Sequence, residues 1–480
     1  MPPKAICTHE VIRERLYNSL TSSPAPVFFF GESAIPGPSI WTAARKWVSM
    51  FRHLGVAPGE RVVLSLDPGP GFLAALVAGI WEEFTLVLPG FGDRPEEVAD
   101  ETKARLILDE ETTAGRPGTV TQMPLFVTEP TPAARFLLRS SGTSGRSDRF
   151  VALSNENILA VAESHQYAVP PEGSVALSLL PWNHAFGLVL ELLPALWSTT
   201  MFVRTQDAAR DPAIALEWSN RFDVRWANMV PLQAARLAAS SGGLAWLRGL
   251  DGGIVGGAPV DGALADVLAT TKLRPGYGQT EASPGITLGE PGEWGDRCIG
   301  QPVGCETEIT PDGELVVTGP NVCLGVWEHG ALTEFDPNRA LHTGDLVERL
   351  PSGSLAFVGR TDHRFKLSNG RLVDAPALER DLDGVVLLPD EGGAGVVLAL
   401  EPGADAGPDV LEYLGRIPAR TIRLAEAAPR TRKGEIDRRA LQERIRSNDT
   451  PRSTHDPSEH ASNDTPADLG DATIDSRRAA

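Results

Sequence analysis

The chain has 480 residues, of which 42% are hydrophobic and 22% are charged, a composition typical of a soluble globular protein with about two to four domains. Its formal net charge of −19 argues against binding of nucleic acid through the phosphate backbone, because such binding requires a basic surface. The cysteines lack metal-ligand spacing, no apolar run approaches the length of a membrane span and no signal peptide is evident, so we expect a cytoplasmic protein.

Helices and strands are predicted to alternate over roughly the first 290 residues. A helix is expected over 9–20, a buried strand at 28–30, and further helices over 40–54 and 71–81. The other strands are expected at 59–66, 85–88, 104–108, 175–180, 200–203, 224–229 and 253–255. Because strands that alternate with helices form a mostly parallel sheet covered on both faces, the pattern predicts an α/β fold.

The pattern changes after about residue 290. Short β-type segments are expected at 306–309, 314–318 and 354–358, and they predict a smaller β-rich subdomain. Residues 361–446 are enough for one small α+β domain. The polar segment 447–480 contains Ser-Asn-Asp-Thr-Pro twice and is predicted to be disordered, because it has too little apolar surface to offset its ordering entropy.

Residues 140–145, with the sequence Ser-Ser-Gly-Thr-Ser-Gly, follow an apolar run with strand character. Glycine tolerates the unusual backbone angles that turn several N–H groups toward one point, and the hydroxyls add further donors. Clustered donors suit a polyphosphate. For this stretch alone, an ordinary flexible loop is an equal alternative.

Five further segments combine residue types suited to nucleotide chemistry. They are Pro-Trp-Asn-His-Ala-Phe-Gly at 181–187, Gly-Gly-Ala-Pro at 256–259, Gly-Tyr-Gly-Gln-Thr-Glu at 276–281, Leu-His-Thr-Gly-Asp at 341–345 and Pro-Arg-Thr-Arg-Lys-Gly-Glu at 429–435. Each has a purely structural alternative when it is taken singly. These alternatives are a core histidine at His184, a core aromatic at Tyr277, a turn residue at Asp345 and a surface charge at Lys433.

With these six motifs in this order, the chain resembles the adenylate-forming superfamily of acyl-CoA synthetases, adenylation domains of peptide synthetases and luciferases. The resemblance runs from about Gly59 to Leu441 and includes Gly-Arg-Thr-Asp at 359–362. It implies a large N-terminal adenylation core (1–360) of parallel-rich sheets with helices, including the β-rich subdomain at about 290–360. It also implies a small, mobile α+β C-terminal domain (361–446) that turns about a hinge at Asp362.

The resemblance implies a role for each motif. The nucleotide would be bound by Ser140, Ser141, Gly142, Thr143, Ser144 and Gly145 at the β- and γ-phosphates, by Gly257, Ala258, Pro259, Tyr277 and Gly278 at the adenine, and by Asp345 and Arg360 at the ribose. The catalytic residues would be Lys433, which bridges the substrate carboxylate and the α-phosphate, Thr280 at the α-phosphate, Glu281 as the ligand of Mg²⁺, and His184 as the gate of the acyl site.

Two positions depart from the family pattern. The phosphate loop continues Arg-Ser-Asp-Arg at 146–149 where the family has Pro-Lys-Gly, so Arg146 or Arg149 would have to replace the usual lysine. Lys433 precedes Gly434 instead of following it, although it is the only lysine after Lys366.

The segment 182–187 contains a histidine but no aspartate at the place where amino-acid-activating relatives have an acid, which favours a simple carboxylic acid, fatty or aryl, as substrate. We therefore expect ATP and Mg²⁺ as cofactors and CoA or the phosphopantetheine of an acyl carrier protein as acyl acceptor. Two alternatives stay open: capture of the adenylate by an amine, hydroxyl or internal nucleophile, and a catalytically weak ATP-binding relative. The walls of the acid pocket are expected from Trp182, Phe186, Met229, Val230, Pro231, Leu232, Gly256 and residues 283–285.

Overall fold

The structure of the chain is a computed structural model. It describes residues 8–109, 120–122, 131, 133–140, 149–198, 200–205, 207–260, 262–295, 297–336, 338–367, 372–379, 384–390, 395–405, 419–431 and 436–449. The candidate residues Ser141, Gly142, Thr143, Ser144, Gly145 and Lys433 lie outside these ranges, as does most of the segment predicted to be disordered.

The described strands and helices follow one another along the chain as expected for an α/β protein. The strands are β1 (Val27–Phe30), β2 (Ser33–Pro36), β3 (Arg61–Ser65), β4 (Thr85–Leu88), β5 (Leu106–Asp109), β6 (Val120–Gln122), β7 (Ala134–Arg139), β8 (Phe150–Ser154), β9 (Val175–Ser178), β10 (Met201–Arg204), β11 (Trp226–Asn228), β12 (Ile254–Gly256), β13 (Arg274–Gly278), β14 (Gly285–Leu288), β15 (Cys298–Pro302), β16 (Glu306–Ile309), β17 (Glu314–Thr318), β18 (Gly325–Glu328), β19 (Ala331–Glu334), β20 (Leu341–Arg349), β21 (Leu355–Arg360), β22 (Arg364–Lys366), β23 (Leu372–Asp374), β24 (Val385–Pro389), β25 (Val396–Leu400) and β26 (Ala419–Arg423).

The helices are α1 (Thr8–Thr21), α2 (Gly37–His53), α3 (Pro70–Trp81), α4 (Pro95–Thr102), α5 (Asn155–Ser164), α6 (Ala185–Gly187), α7 (Leu193–Leu196), α8 (Pro212–Phe222), α9 (Pro231–Ala239), α10 (Gly243–Gly249), α11 (Gly262–Leu268), α12 (Ala375–Glu379) and α13 (Arg438–Asp449). A π-helical turn, Leu188–Leu192, joins α6 to α7. No described helix combines the length and the apolar character that would be needed to cross a membrane.

Three large sheets carry these strands. The first has the order β11-β9-β10-β1-β2 and is parallel except at β1–β2, and the second has the order β19-β18-β8-β7-β4-β3-β5-β6 with a parallel centre from β7 to β5. The third has the order β12-β13-β14-β15-β21-β20-β17-β16, and only β12–β13 is parallel. The first two sheets confirm the predicted parallel-rich α/β fold. The third draws several strands from residues 298–360, where short β-type segments are predicted.

Burial on both sides explains why the central strands are apolar runs. Helix α3 is buried along nearly its whole length, and a Cβ at its Gly79 would lie 2.5 Å from the side chain of Leu86 on β4, so the glycine allows helix and sheet to approach closely. Helix α5 starts in a capping box, in which the Ser154 hydroxyl accepts from the Asn157 amide and the Asn157 side chain accepts from the Ser154 amide. This cap fixes the direction of the helix that leads to His165.

The predicted boundaries agree with the structure to within two residues, except that α2 starts at Gly37, three residues before the predicted start, and two of the shortened strands lie beside the cleft. The strand predicted over 175–180 ends at Ser178, because Leu179 and Leu180 leave the sheet and line the cleft. The strand predicted over 224–229 is three residues long, because Pro231 starts α9 directly after it.

The last part of the chain has a small sheet of its own, β24-β25-β26. Leu441 and Ile445 of α13 pack into a hydrophobic cluster with Val386 and Val397 of this sheet. Helix α13 runs to Asp449, past residue 447, where the tail is predicted to begin. The backbone of the predicted hinge, Asp362, lies in a 3₁₀ turn, Thr361–His363, between β21 and β22.

Candidate active site

One large cleft, with a volume of about 1830 Å³, lies where the carboxyl ends of strands from all three large sheets meet. The ends of β7, β9, β10, β11 and β12 all open into it, and ligands of α/β sheets commonly bind at such an edge. The structure brings every described residue of the predicted nucleotide-binding and catalytic set to this cleft. These residues are Ser140, His184, Gly257, Ala258, Pro259, Tyr277, Gly278, Thr280, Glu281, Asp345 and Arg360.

The Asp345 carboxylate accepts three side-chain hydrogen bonds in the cleft. Its Oδ1 accepts from Arg360 Nη1 at 2.7 Å, and its Oδ2 accepts from the Tyr277 hydroxyl and from Gln279 Nε2, both at 2.6 Å. Asp345 and Arg360 are direct partners in the antiparallel β20–β21 ladder, so the register of this hairpin sets their contact. Only 4% of Asp345 is exposed, and the surrounding donors offset the cost of burying its charge.

Tyr277 is held by this network through its hydroxyl. Burial and the Asp345 charge raise its pKa well above the ordinary value, so the phenol stays protonated and donates. Sequence reasoning missed the next side chain, Gln279, which donates to Asp345 and also to the carbonyl of Thr343. Its position inside the Gly-Tyr-Gly-Gln-Thr-Glu motif is the signal that would have identified it.

Glu281 lies in the 3₁₀ turn Thr280–Ala282, directly after the third-sheet strand β13. Its Oε1 is 2.8 Å from Nη2 of Arg149, the residue before β8, and both side chains are largely buried. The main chain of the turn is also held, because the Cys323 amide donates to the Glu281 carbonyl at 2.8 Å. Burial and the Glu281 charge raise the pKa of the Cys323 thiol to about 12, so this cysteine stays protonated. Arg149 thus lines the cleft beside Glu281, and it is one of the two arginines expected to replace the missing lysine.

Ser140 ends strand β7 and is the last described residue before the predicted phosphate loop. Its amide donates to the Arg149 carbonyl at 3.5 Å, which ties both ends of the loop together. Its hydroxyl is buried and has no hydrogen-bond partner within the described part of the chain. A polar group of this kind at a cleft is suited to a ligand that brings its own partner.

His184 lies at the start of α6, where the chain turns from the first sheet into the π-helical turn. Gly187 makes this turn possible, since a Cβ there would be 2.2 Å from the carbonyl oxygen of Pro181. Asn183 anchors the same segment by donating to the Pro89 carbonyl at 2.8 Å. The imidazole of His184 therefore lines the cleft on a rigid segment, and π-helical turns of this kind occur frequently at functional sites.

A buried polar cluster behind the cleft was missed by sequence reasoning. Glu191 Oε1 accepts from the Ser178 hydroxyl at 2.5 Å, and Arg204 Nη1 donates to the same hydroxyl oxygen at 2.7 Å. Arg204 also lies over the ring of Trp182, 4.5 Å from its centroid. Burial raises the pKa of Glu191 to about 7. A glutamate inside the apolar run at 188–196 was the available signal.

The expected walls of the acid pocket need correction. Phe186, Val230, Leu232 and the residues Gly256, Pro284 and Gly285 line the cleft or a small cavity beside it. Trp182, Met229, Pro231 and Ser283 line neither and are all buried. Trp182 and Met229 belong to hydrophobic clusters, and Trp182 packs against Phe72 and Phe202. An aromatic side chain next to a glycine-bearing motif fits a core position as well as a pocket wall, and only packing distinguishes the two.

Comparison with known proteins identifies the family of the chain. A family model described as AMP-binding enzyme matches residues 38–327. Long-chain-fatty-acid–CoA ligase 1 from Homo sapiens is 33% identical over 143 residues, or 26% of this chain and 20% of the ligase. Surfactin synthase subunit 1 from Bacillus subtilis (strain 168) is 34% identical over 155 residues, or 27% of this chain and 4% of that protein. The chain thus spans about a fifth of the length of the ligases it matches.

Solved structures resemble nearly the whole chain. The o-succinylbenzoate–CoA synthetase from Bacillus subtilis, in complex with its acyl-adenylate intermediate, has a TM-score of 0.70 at 19% identity over 89% of this chain and 97% of that one. An anthranilate–CoA ligase in complex with anthranoyl-AMP has a TM-score of 0.70 at 17% identity, over 92% of this chain and 98% of that one. These likenesses confirm the fold, and the family model covers more than half of the residues, so the chain belongs to the family of AMP-binding enzymes.

Proposed function

We propose that the chain activates a carboxylic acid with ATP and passes the acyl group to a thiol. A carboxylate oxygen attacks the α-phosphorus. The bond between this phosphorus and the α–β bridging oxygen breaks, and pyrophosphate leaves. The sulfur of CoA or of a carrier-protein phosphopantetheine then bonds to the acyl carbon, AMP leaves with the bonding electrons, and the thiol proton is released. The supporting observation is that one cleft collects residues from every motif that the structure describes.

In this proposal the ribose lies at Asp345 and the base beside Tyr277. Arg360 and Gln279 hold the Asp345 carboxylate in place, and the carboxylate accepts from the ribose hydroxyls. Gly257 has a φ of +87°, and the nearest atom to a Cβ built there is 3.8 Å away. The backbone therefore leaves room for a flat ring at this point of the cleft.

The triphosphate is proposed to lie between Ser140, Arg149 and the turn that carries Thr280 and Glu281. No group of three or more His, Cys, Asp or Glu side chains among the described residues is arranged to hold a metal ion by itself. Mg²⁺ that arrives with a nucleotide needs only one or two carboxylates, because phosphate and water oxygens complete its coordination, so Glu281 fits this role. The ion would supply charge neutralisation at the phosphates.

Lys433 is proposed as the cation that brings the substrate carboxylate to the α-phosphate. It lies outside the described residues, but Thr431, two positions earlier, lines the cleft and has a buried hydroxyl without a partner within the described residues. We further propose that residues 361–446 form the mobile domain and turn about Asp362. Such a rotation would withdraw Lys433 after adenylation and admit the thiol.

The acceptor is proposed from the relatives. The similarity to the fatty-acid–CoA ligase supports CoA, and the similarity to the surfactin synthase subunit supports a carrier protein. Capture of the adenylate by an amine, a hydroxyl or an internal nucleophile is the alternative if neither thiol is used.

The test is exchange of labelled pyrophosphate into ATP, with Mg²⁺ and a panel of short and long carboxylic acids. We expect exchange with at least one acid, and a loss of about 10²-fold or more in Lys433→Ala, because a cation at developing charge contributes on that scale. The matched control is Lys272→Ala, which removes an exposed lysine bonded to Asp251 and should leave exchange unchanged. A folded protein that exchanges with no acid, or a Lys433→Ala variant as active as the wild type, would contradict the proposal.

A second assay identifies the acceptor. Addition of CoA or of a phosphopantetheinylated carrier protein should raise the rate of AMP release in the presence of the preferred acid. If neither thiol changes turnover while pyrophosphate exchange persists, the adenylate is captured by another nucleophile.

A further inference from the structure

A small cavity of about 50 Å³ lies beside the cleft. It shares Phe186, Gly257, Tyr277 and Pro284 with the lining of the cleft, so the two spaces are neighbours. Gly278 also borders both and lies two residues from Thr280, the residue proposed at the α-phosphate. An acid whose carboxylate reaches that phosphate would therefore extend its organic part toward this cavity.

The volume of the cavity limits the size of that organic part. A single water occupies about 10–15 Å³ of such volume, so 50 Å³ accommodates only a few non-hydrogen atoms. Sites for drug-sized ligands are about 300–1,000 Å³. A long alkyl chain does not fit here.

The walls are flat and mostly apolar. Gly256 of β12 faces its partner Gly276 of β13, and a Cβ at Gly256 would lie 2.3 Å from the carbonyl oxygen of Gly276. Peptide planes therefore form this side of the cavity, while Leu190 and Ile254 supply apolar surface. A planar group suits such a wall better than a branched one.

Three of the lining residues, all of them described, carry polar side chains. The Tyr277 hydroxyl donates to Asp345, and the Thr287 hydroxyl donates to the Ile299 carbonyl. The third residue, His165, is 1% exposed, and no hydrogen bond to its Nε2 occurs among the described residues. The Cε1–Nε2 edge of its ring faces the lining residue Gly285, where a built Cβ would lie 2.3 Å from Cε1 and 2.6 Å from Nε2.

The contacts at the other nitrogen of His165 suit one neutral tautomer. Nδ1 is 3.0 Å from the Ser164 hydroxyl oxygen, and this hydroxyl donates its single proton to the Val161 carbonyl at 3.2 Å. In the neutral tautomer that carries its proton on Nδ1, Nδ1–H donates to the Ser164 oxygen. Burial lowers the pKa of His165 to about 4, so the ring is neutral near pH 7 and Nε2 carries a lone pair.

Resting on the proposed function, we infer that the acid is short and planar and carries a hydroxyl or an uncharged amino group at the end remote from its carboxylate. This group donates to His165 Nε2 in the small cavity. A charged ammonium is disfavoured, because no carboxylate is among the residues that line the cavity, all of which are described. His165 is thus a specificity-determining residue that contacts the substrate.

The experiment compares kcat/KM in pyrophosphate exchange for benzoate, its hydroxy and amino isomers, the matching methoxy isomers and dodecanoate. For at least one ring position, kcat/KM for the hydroxybenzoate or the aminobenzoate should be about tenfold or more above kcat/KM for benzoate. With benzoate the buried acceptor has no donor, which is costly. The methoxybenzoate with its substituent at the same ring position offers no donor, so its kcat/KM should not exceed that of benzoate. Dodecanoate should be a poor substrate.

Two variants separate a direct contact from a structural role. His165→Leu should reduce the ratio between the best donor-bearing acid and benzoate to about one, whereas His165→Gln, which keeps an acceptor oxygen, should retain part of it. Circular dichroism and thermal unfolding establish that each variant is folded. If a variant does not fold, the inference is still tested by the wild-type ratios of kcat/KM between the donor-bearing acids and benzoate.

The outcomes distinguish this inference from the proposed function. A preference for dodecanoate, equal activity with benzoate and its donor-bearing isomers, or an unchanged ratio in folded His165→Leu would overturn the inference and leave acid activation intact. Absence of exchange with every acid would overturn the proposed function, and the inference with it.

Discussion

The guanidinium of Arg149 and the carboxylate of Glu281 form an ion pair with an N–O distance of 2.8 Å, at the end of the cleft proposed for the triphosphate. The two residues come from different sheets and are 132 positions apart. In the proposed reaction Glu281 has to exchange this arginine for Mg²⁺. In that reaction the released guanidinium would lie next to the triphosphate and replace the lysine that the resemblance implies there.

Replacement of Arg149 should therefore weaken ATP binding. We expect Arg149→Ala to raise the KM for ATP by about tenfold to a hundredfold, because a hydrogen bond to a charged group contributes about 1.5–3 kcal/mol. In Arg149→Lys, which keeps a positive charge, the KM for ATP should rise less. Pyrophosphate exchange at varied ATP gives the KM, and Arg221→Ala, which removes an exposed arginine paired with Glu32, is the matched control. An unchanged KM in Arg149→Ala would show that the arginine has no phosphate to bind.

The Tyr277 hydroxyl contributes to stability through Asp345. Tyr277→Phe removes one donor from a buried carboxylate and should lower the free energy of unfolding by about 1.5–3 kcal/mol. Urea unfolding followed by fluorescence measures the change. Tyr167→Phe is the control, because Tyr167 is 75% exposed and its variant should unfold like the wild type. Equal stability of the two variants would indicate that Gln279 and Arg360 satisfy Asp345 without the phenol.

Glu191 should make the protein less stable as the pH rises. Its pKa is about 7 in the folded protein and 4.5 without burial, so the folded state binds more protons between these values and stability falls across this interval. The full effect is on the order of 3 kcal/mol. Glu191→Gln keeps the contact to Ser178 and cannot ionise. Its stability relative to the wild type should therefore increase from pH 4.5 to pH 7, as measured by urea unfolding at each pH, and a constant difference would contradict a buried, protonated Glu191.

Protonation of His165 should make the protein less stable as the pH falls. Its pKa is about 4 in the folded protein against 6.5 without burial, so the unfolded state binds more protons in this interval and stability is lost as the pH falls through it. The loss is on the order of 3 kcal/mol. The wild type should lose more stability than His165→Gln between pH 6.5 and pH 4. A parallel acid dependence of the two proteins would mean that His165 is not buried in its neutral form.

The sequence predicted the fold and the parts of the site that are local in the chain. Tyr277, Thr280 and Glu281 lie within six positions, and their motif places them at one strand end, so their proximity follows from the sequence alone. The order of helices and strands likewise predicted the parallel-rich sheets, because apolar strands alternate with helices in the first part of the chain.

Contacts between distant segments were not predictable in the same way. Nothing local to Glu191 or Arg204 indicates that both bond to Ser178, and Trp182 was placed in the pocket although it completes a buried aromatic cluster. Such contacts depend on which strands become neighbours in a sheet. The contribution of His165 was hidden for the same reason, since only the approach of β14 gives its ring a pocket to face.

The contact between Gly285 and His165 also restricts how the substrate range of this chain can change during evolution. Any side chain at position 285 would collide with the imidazole, so a substitution there is harmful while the histidine remains. The same substitution becomes tolerable after position 165 has acquired a smaller residue. We therefore expect sign epistasis between the two positions, with position 165 altered first in lineages that recognise other acids.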